Sequence, residues 1–140
     1  MDLSNSTKVV AGVLLVTVPS IEFGGSFLLR MLKTAERGYA DNPLRQNMFR
    51  AGHAHAGVIV ILSLVIQLYV DALALPGSVE TVARLGAPVA AILMPLGFFL
   101  CVTSPDATKP NGLIKLVYIG AVCLAVSVLT VGIALVGAGV

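Results

Sequence analysis

Apolar residues in this chain gather into four long runs, about residues 9–31, 51–71, 83–104 and 113–137, with polar stretches between them. The hydrocarbon core of a bilayer is about 30 Å thick, and a helix rising about 1.5 Å per residue crosses it in roughly 20 residues. Each run is long enough, so each is predicted to be a membrane-spanning helix. Backbone N–H and C=O groups find no water inside lipid, which leaves the helix as the way for such a run to cross. The predicted fold is therefore all-α: an integral membrane protein, an antiparallel four-transmembrane-helix bundle in one domain over residues 1–140. The lipid bilayer is its solvent and its first partner.

The polar stretches carry the breaks. The first connection runs from Leu32 to Arg50. The second contains Pro76-Gly77, a turn signal, followed by Ser78 as a helix cap and Glu80 in the first turn. The third, from Ser104-Pro105-Asp106 to Pro110-Asn111-Gly112, has two prolines and can continue neither helix. Inside span one, Pro19 removes a backbone hydrogen bond and Gly24-Gly25 adds a weak point, so a kink or local unwinding is expected there.

No hydrophobic force pulls helices together in lipid, so small and polar stripes mark where they touch. Span four shows such a stripe in Gly120, Cys123, Ser127, Thr130, Ala134 and Gly137. Its alternating steps of three and four give the seam of a left-handed bundle. The same spacing selects Gly12, Leu15, Pro19, Glu22, Ser26 and Leu29 in span one. It selects His53, Ala56, Val60, Ser63 and Gln67 in span two, and span three offers Gly86, Ala90, Gly97 and Cys101. Every span has a face fit for protein, and self-association or membership of a larger membrane complex would use the same faces.

Composition agrees with a lipid solvent. The chain is 57% hydrophobic and 11% charged, where about a quarter is usual for a soluble protein. Mean hydropathy is +0.96. The net charge of +2, without a basic run, gives no footing for nucleic acid. Arg30, Lys33, Arg37, Arg45, Arg50, Lys109 and Lys115 lie on the side of the first and third connections, against Lys8 and Arg84 on the other. The basic side is expected to be cytoplasmic, with both termini outside, in a multi-pass protein of a bacterial-type inner membrane. The leading stretch Met1 to Lys8 has one lysine and one aspartate, and no Ala-x-Ala site follows Val18. The first run is thus expected to be retained rather than cleaved as a signal peptide. Tryptophan is absent, leaving Tyr39, Tyr69 and Tyr118 as interfacial aromatics. Cys101 and Cys123 fall at different depths and are expected to be free thiols.

The candidate chemistry sits at membrane depth. Both histidines occur in Arg50-Ala51-Gly52-His53-Ala54-His55-Ala56-Gly57, and Glu22 is the one carboxylate well inside a predicted span. Ionisable groups there are costly and functional by default. Measured from the basic side at about 1.5 Å per residue, Glu22 lies about 12 Å deep, His53 about 5 Å, His55 about 8 Å and Tyr118 about 9 Å. The four are expected to form one layer. Successive residues turn by about 100°, so the rings of His53 and His55 point about 200° apart and serve different partners. Helical zinc sites use i, i+4 instead. Neutral histidine is a usual axial ligand of haem, and Gly52 and Gly57 would let a flat macrocycle approach. A site for haem b, or for a copper or zinc ion held by His53, His55 and Glu22, is one expectation, with Gly52, Gly57 and Tyr118 around the cofactor. The plainer readings are histidines bonding loop carbonyls or headgroups, and a protonated Glu22 bonded across helices.

Three resemblances attach to these residues. His53-Ala54-His55 is similar to the His-x-His of haem–copper oxidase core subunits, in which neighbouring histidines hold different cofactors; a third histidine is lacking here. A small four-span chain with Glu22-Phe23-Gly24-Gly25 in its first span resembles the small multidrug resistance exporters, which implies proton-coupled transport. Those exporters have neither the His-x-His nor the long first loop. Asn42-Pro43, then Arg50-Ala51 and a nearby histidine, resemble the motif of the membrane-associated eicosanoid and glutathione metabolism family, which implies an enzyme. The asparagine and glutamate of that motif are replaced by Ala and Gly, and Lys115 and Tyr118 match its last-span residues loosely. The leading functional expectation is a haem or metal site in a redox or accessory role. Proton-coupled transport of a small molecule or ion, and a structural subunit of a larger complex, are the alternatives.

Overall fold

A computed structural model describes residues 2–139; Met1, which opens the leading stretch, and Val140 lie outside them. Four helices follow one another: α1 Asn5–Lys33, α2 Pro43–Ala72, α3 Gly77–Leu100 and α4 Lys115–Ala138, the last preceded by a single 3-10 turn at Gly112–Ile114. All four are long and apolar enough to cross a membrane, and no strand occurs among the described residues.

Capping chemistry sets the boundaries. Ser4 caps α1, its Oγ accepting from the Thr7 N–H at 3.1 Å. Asn42 caps α2 in the same way through Arg45 N–H, with Pro43 pre-set at the first helical position. That start lies well before the expected residue 51, so much of the first connection is helix. At the head of α3 the cap position is Pro76, without a side-chain hydrogen bond, and Ser78 falls inside the helix instead of capping it. The α3 helix also stops at Leu100 rather than at residue 104. The α1 helix runs unbroken through Pro19 and Gly24-Gly25, so the expected unwinding does not occur.

The α3 helix packs against both α2 and α4, whereas α1 packs chiefly on α2. The buried core lies between α2, α3 and α4: Ile66, Val70, Ala83, Ala87 and Val131 toward one end, then Ile59, Ala90 and Met94 at mid-depth. Small residues let α3 and α4 approach closely. A methyl added to Gly86 would stand 2.7 Å from the Cys123 carbonyl oxygen, and one on Gly97 2.7 Å from the Val117 nitrogen. Ser127 donates across this seam to the Ala83 carbonyl at 2.6 Å.

The predicted contact stripe of α2 is the observed one, with Val60, Ser63 and Gln67 buried. That of α4 holds from Gly120 to Ser127 and then shifts to Val131, leaving Gly137 in open space. The stripe of α1 is displaced by one residue. Leu14 and Leu28 are buried and Val18, Ile21 and Gly25 half-buried, while Leu15, Pro19, Glu22, Ser26 and Leu29 are exposed. One residue is about 100° of rotation. The cause is at both ends of the helix: Gly24 and Gly25 take the close approach to α2, and Thr7, fully buried, accepts a hydrogen bond from Arg84 of α3.

At the end of the bundle holding the first and third connections, the two loops are bonded together. Asn42 Nδ2 donates to the carbonyls of Pro105 and Ala107, both at 3.0 Å. Arg45 Nε donates to the Val102 carbonyl at 2.9 Å, its Nη1 donates to the Gly38 carbonyl, and its guanidinium lies over the Phe49 ring. Gly38 has φ +74° and Pro105 against its Cα, a place only glycine can hold. Tyr39, Phe49, Cys101 and Val102 close this end with Leu28 and Met31. Both cysteines are free, as expected, and burial pushes the Cys101 thiol above its ordinary value.

Candidate functional site

His53 sits where α1 and α2 come closest. Its ring lies over Gly24 and Gly25: a methyl built on Gly25 would be 3.1 Å from both Cε1 and Nε2, and one on Gly24 3.6 Å from Nδ1. The glycine pair is what admits an imidazole between these helices. On one side of that contact opens a cavity of about 490 Å³ lined by Glu22, Ser26, His53, Gly57, Val60 and Ile61. Glu22 and His53 therefore line the same cavity. Glu22 has no ion pair among the described residues. On the other side of His53 lies a groove of about 520 Å³ between α1 and α3, floored by Ala56 and Val60 of α2.

His55 faces α3. Its ring centroid is 4.9 Å from that of Phe98, and its Nδ1 is 2.7 Å from the Ala51 carbonyl, which makes Nδ1 the protonated nitrogen. The two imidazoles thus serve different helices, as their spacing requires. Gly52 does not offer an open face, since the space beside it holds the Phe99 ring and the Phe98 Cβ; Gly57 has nothing within 4 Å. Tyr118 is 66% exposed on α4 and lines neither of the cavities beside His53. Of the four residues expected in one layer, Glu22 and His53 line one cavity, and His55 and Tyr118 are not part of its lining. Among the described residues no group of three or more His, Cys, Asp or Glu side chains converges as a protein-built metal centre requires.

A second polar constellation, at the opposite end, escaped the sequence reading. Arg84 of α3 is buried, its side chain 7% exposed. Its Nη2 donates to Asp71 at 2.9 Å and Glu80 at 2.7 Å, and its Nη1 to Gln67 Oε1 at 3.1 Å and to Thr7 Oγ1. Asp71, with a side chain 5% exposed, also accepts from the N–H and hydroxyl of Ser4, both at 2.8 Å. Gln67 Nε2 returns a bond to the Arg84 carbonyl at 2.9 Å. Three helices are joined there through one guanidinium. Glu80 and Arg84 stand four apart, the spacing of a helical ion pair, and that was the readable signal.

No family model, curated protein or solved structure matches the chain at a significant level.

Proposed function

We propose that this protein is a membrane transporter that exchanges protons for a lipophilic cation at the Glu22–His53 crevice. The observation that carries this reading is a carboxyl and an imidazole on one largely apolar cavity wall at the surface of the bundle. An ionised carboxylate alone in lipid is costly, so this wall favours an occupant that brings a countercharge. A monovalent cation with an apolar shell supplies both a countercharge and a body that fits the wall. As it binds, the O–H bond of Glu22 breaks, the carboxylate pairs with the cation, and one proton leaves. The imidazole of His53 is the acceptor on the same wall and passes that proton toward the loop end.

Adding tetraphenylphosphonium to the detergent-purified protein should release about one proton per cation bound in an unbuffered dye assay. Glu22→Gln should abolish the release and His53→Ala should reduce it. Binding without proton release in the wild type, or full release in Glu22→Gln, defeats the reading.

The orientation that goes with it places the two bonded loops in the cytoplasm of a bacterial-type cell and both termini outside. Supporting this, Arg84 is held by Asp71 and Glu80, which leaves Lys8 as the basic residue without a carboxylate partner at the other end among the described residues. An impermeant thiol reagent that labels the Lys109→Cys variant in intact cells would reverse it.

A second reading, haem b or a copper or zinc ion, is favoured by one observation. The Nδ1–H of His55 donates to the Ala51 carbonyl, which leaves the Nε2 lone pair for a metal. Its further ligands would come from water or a second chain. A Soret band or bound metal that disappears in His55→Ala supports it; a colourless, metal-free protein excludes it.

A further inference from the structure

The Glu22 crevice and the α1–α3 groove lie on opposite sides of the His53 ring, and a different ring nitrogen lies toward each. Nδ1 is the atom beside Gly24, which lines the groove; Nε2 is beside Gly25, which lines the crevice. His55 commits its Nδ1 to the carbonyl four residues back, that of Ala51. The His53 ring has no such bond and no other hydrogen-bond partner among the described residues.

The groove runs from Val9 to Gly24 on α1 and from Leu85 to Phe99 on α3, about 22 Å of helix. It exists because α1 packs chiefly on α2 and stands apart from α3 along this length. Val9, Val13, Ile92 and Leu96 on its wall are exposed, so it is entered from the side. Thr17 and Ser20 also line it, yet their hydroxyls already donate to the carbonyls of Leu14 and Thr17 at 2.6 Å each. No charged residue is part of the lining. Four charges stand at the end away from His53: Arg84 with its partners Asp71 and Glu80, and the exposed Lys8; none of them lines the groove. At the His53 end the aromatic ring of Phe99 completes the wall.

We infer that this groove binds a lipid-soluble quinone, whose ring carbonyl accepts from His53 Nδ1–H and whose apolar tail lies between α1 and α3. The site is separate from the exchange crevice, since Glu22 lines the crevice and not the groove. A wall without charge selects an uncharged occupant, because an ion there would lack a countercharge. One hydrogen-bonding group at one end of a long apolar wall matches a polar head on a long tail. Phe99 favours a flat ring as that head, since aromatic rings attract one another offset or edge-on. A neutral imidazole nitrogen donates in one tautomer and accepts in the other, so it suits both the carbonyl of a quinone and the hydroxyl of a quinol. A partner's helix is too large. A cylinder about 10 Å across and about 22 Å long fills roughly 1,700 Å³, more than three times the groove's 520 Å³.

The test is equilibrium dialysis of decylubiquinone against the purified protein in detergent, with protein-free micelles as the blank. Wild type should bind it saturably. Decylbenzene, which keeps a ring and the tail but has no carbonyl, should displace it about tenfold less well, the loss of one good hydrogen bond. His53→Leu should weaken binding by a similar factor. Ile92→Trp sets an indole in the groove from a residue 61% exposed and should weaken binding at least tenfold, while proton release with tetraphenylphosphonium stays within twofold of wild type. Leu129→Trp, equally exposed on α4 and outside these cavities, should match wild type in both assays. Unsaturable uptake, equal displacement by decylbenzene or by farnesol, or wild-type binding in His53→Leu or Ile92→Trp overturns the quinone site and leaves the exchange reading standing. Saturable quinone binding in a wild type that releases no proton to the cation defeats the exchange reading alone.

Discussion

Arg84→Ala is expected to cost about 3–5 kcal/mol of stability, the loss typical of removing one partner from a buried ion pair. The cost comes from what is left behind. Asp71 retains its two bonds from Ser4 but loses the guanidinium that offsets its charge in an enclosed site. Gln67 Oε1 and the Thr7 hydroxyl lose their partner as well, in positions with no exposure. An unpartnered buried group bears its full desolvation penalty. The effect should be largest on α1, since Thr7 and Ser4 are its ties to that end of the bundle. Reversible unfolding in mixed micelles measures it, and a change below about 1 kcal/mol would show that the network carries little. The double variant Asp71→Asn, Arg84→Gln should recover much of the loss, because it removes both charges while keeping hydrogen-bonding groups in place.

Gly86→Ala should separate α3 from α4. Its methyl would stand 2.7 Å from a backbone oxygen of Cys123 and 2.8 Å from Ser127 Cβ, and a helix backbone cannot yield locally. Relief requires the helices to move apart, which also stretches the 2.6 Å bond from Ser127 to the Ala83 carbonyl. Overpacking of this kind costs about 1–3 kcal/mol. Gly97→Ala meets the Val117 nitrogen at the same distance and should behave alike. Gly12→Ala and Gly132→Ala have nothing within 4 Å and serve as controls, expected to be neutral or slightly stabilising. Equal stability across all four variants would mean that close helix approach is not what holds this seam.

The four long helices were legible in the chain because a run of about 20 apolar residues is what a helix needs to be able to cross a bilayer. The contact faces were legible where a helix is enclosed on several sides, as α2 is by α1 and α3. The α1 helix has one main neighbour, so its small and polar residues do not all point inward: Gly24 and Gly25 mark the contact, while Ser26 and Glu22 flank it. Reading Gly24-Gly25 as a weak point hid their use as the seat of His53. The start of α2 carried a usable signal in Asn42-Pro43, a cap followed by a first-turn proline. The Arg84 network was harder. Its Glu80 partner is readable at four residues' distance, but Asp71, Gln67 and Thr7 lie on other helices, and nothing in the order of residues says that their rotations coincide. Depth put Glu22 and His53 at one level of the chain, but depth alone could not separate them from Tyr118.

The hydrogen bonds from Asn42 and Arg45 to Val102, Pro105 and Ala107 have a consequence for biosynthesis. Chains are made from the N-terminus, and early segments fold first. When the hairpin of α1 and α2 leaves the ribosome, the carbonyls it needs at its turn have not been translated. That hairpin must wait with Asn42 and Arg45 bonded to water, and it locks only after residue 107 has emerged and α3 has packed against α2. Truncation before that point should leave the turn open to protease, even though both of its helices are complete.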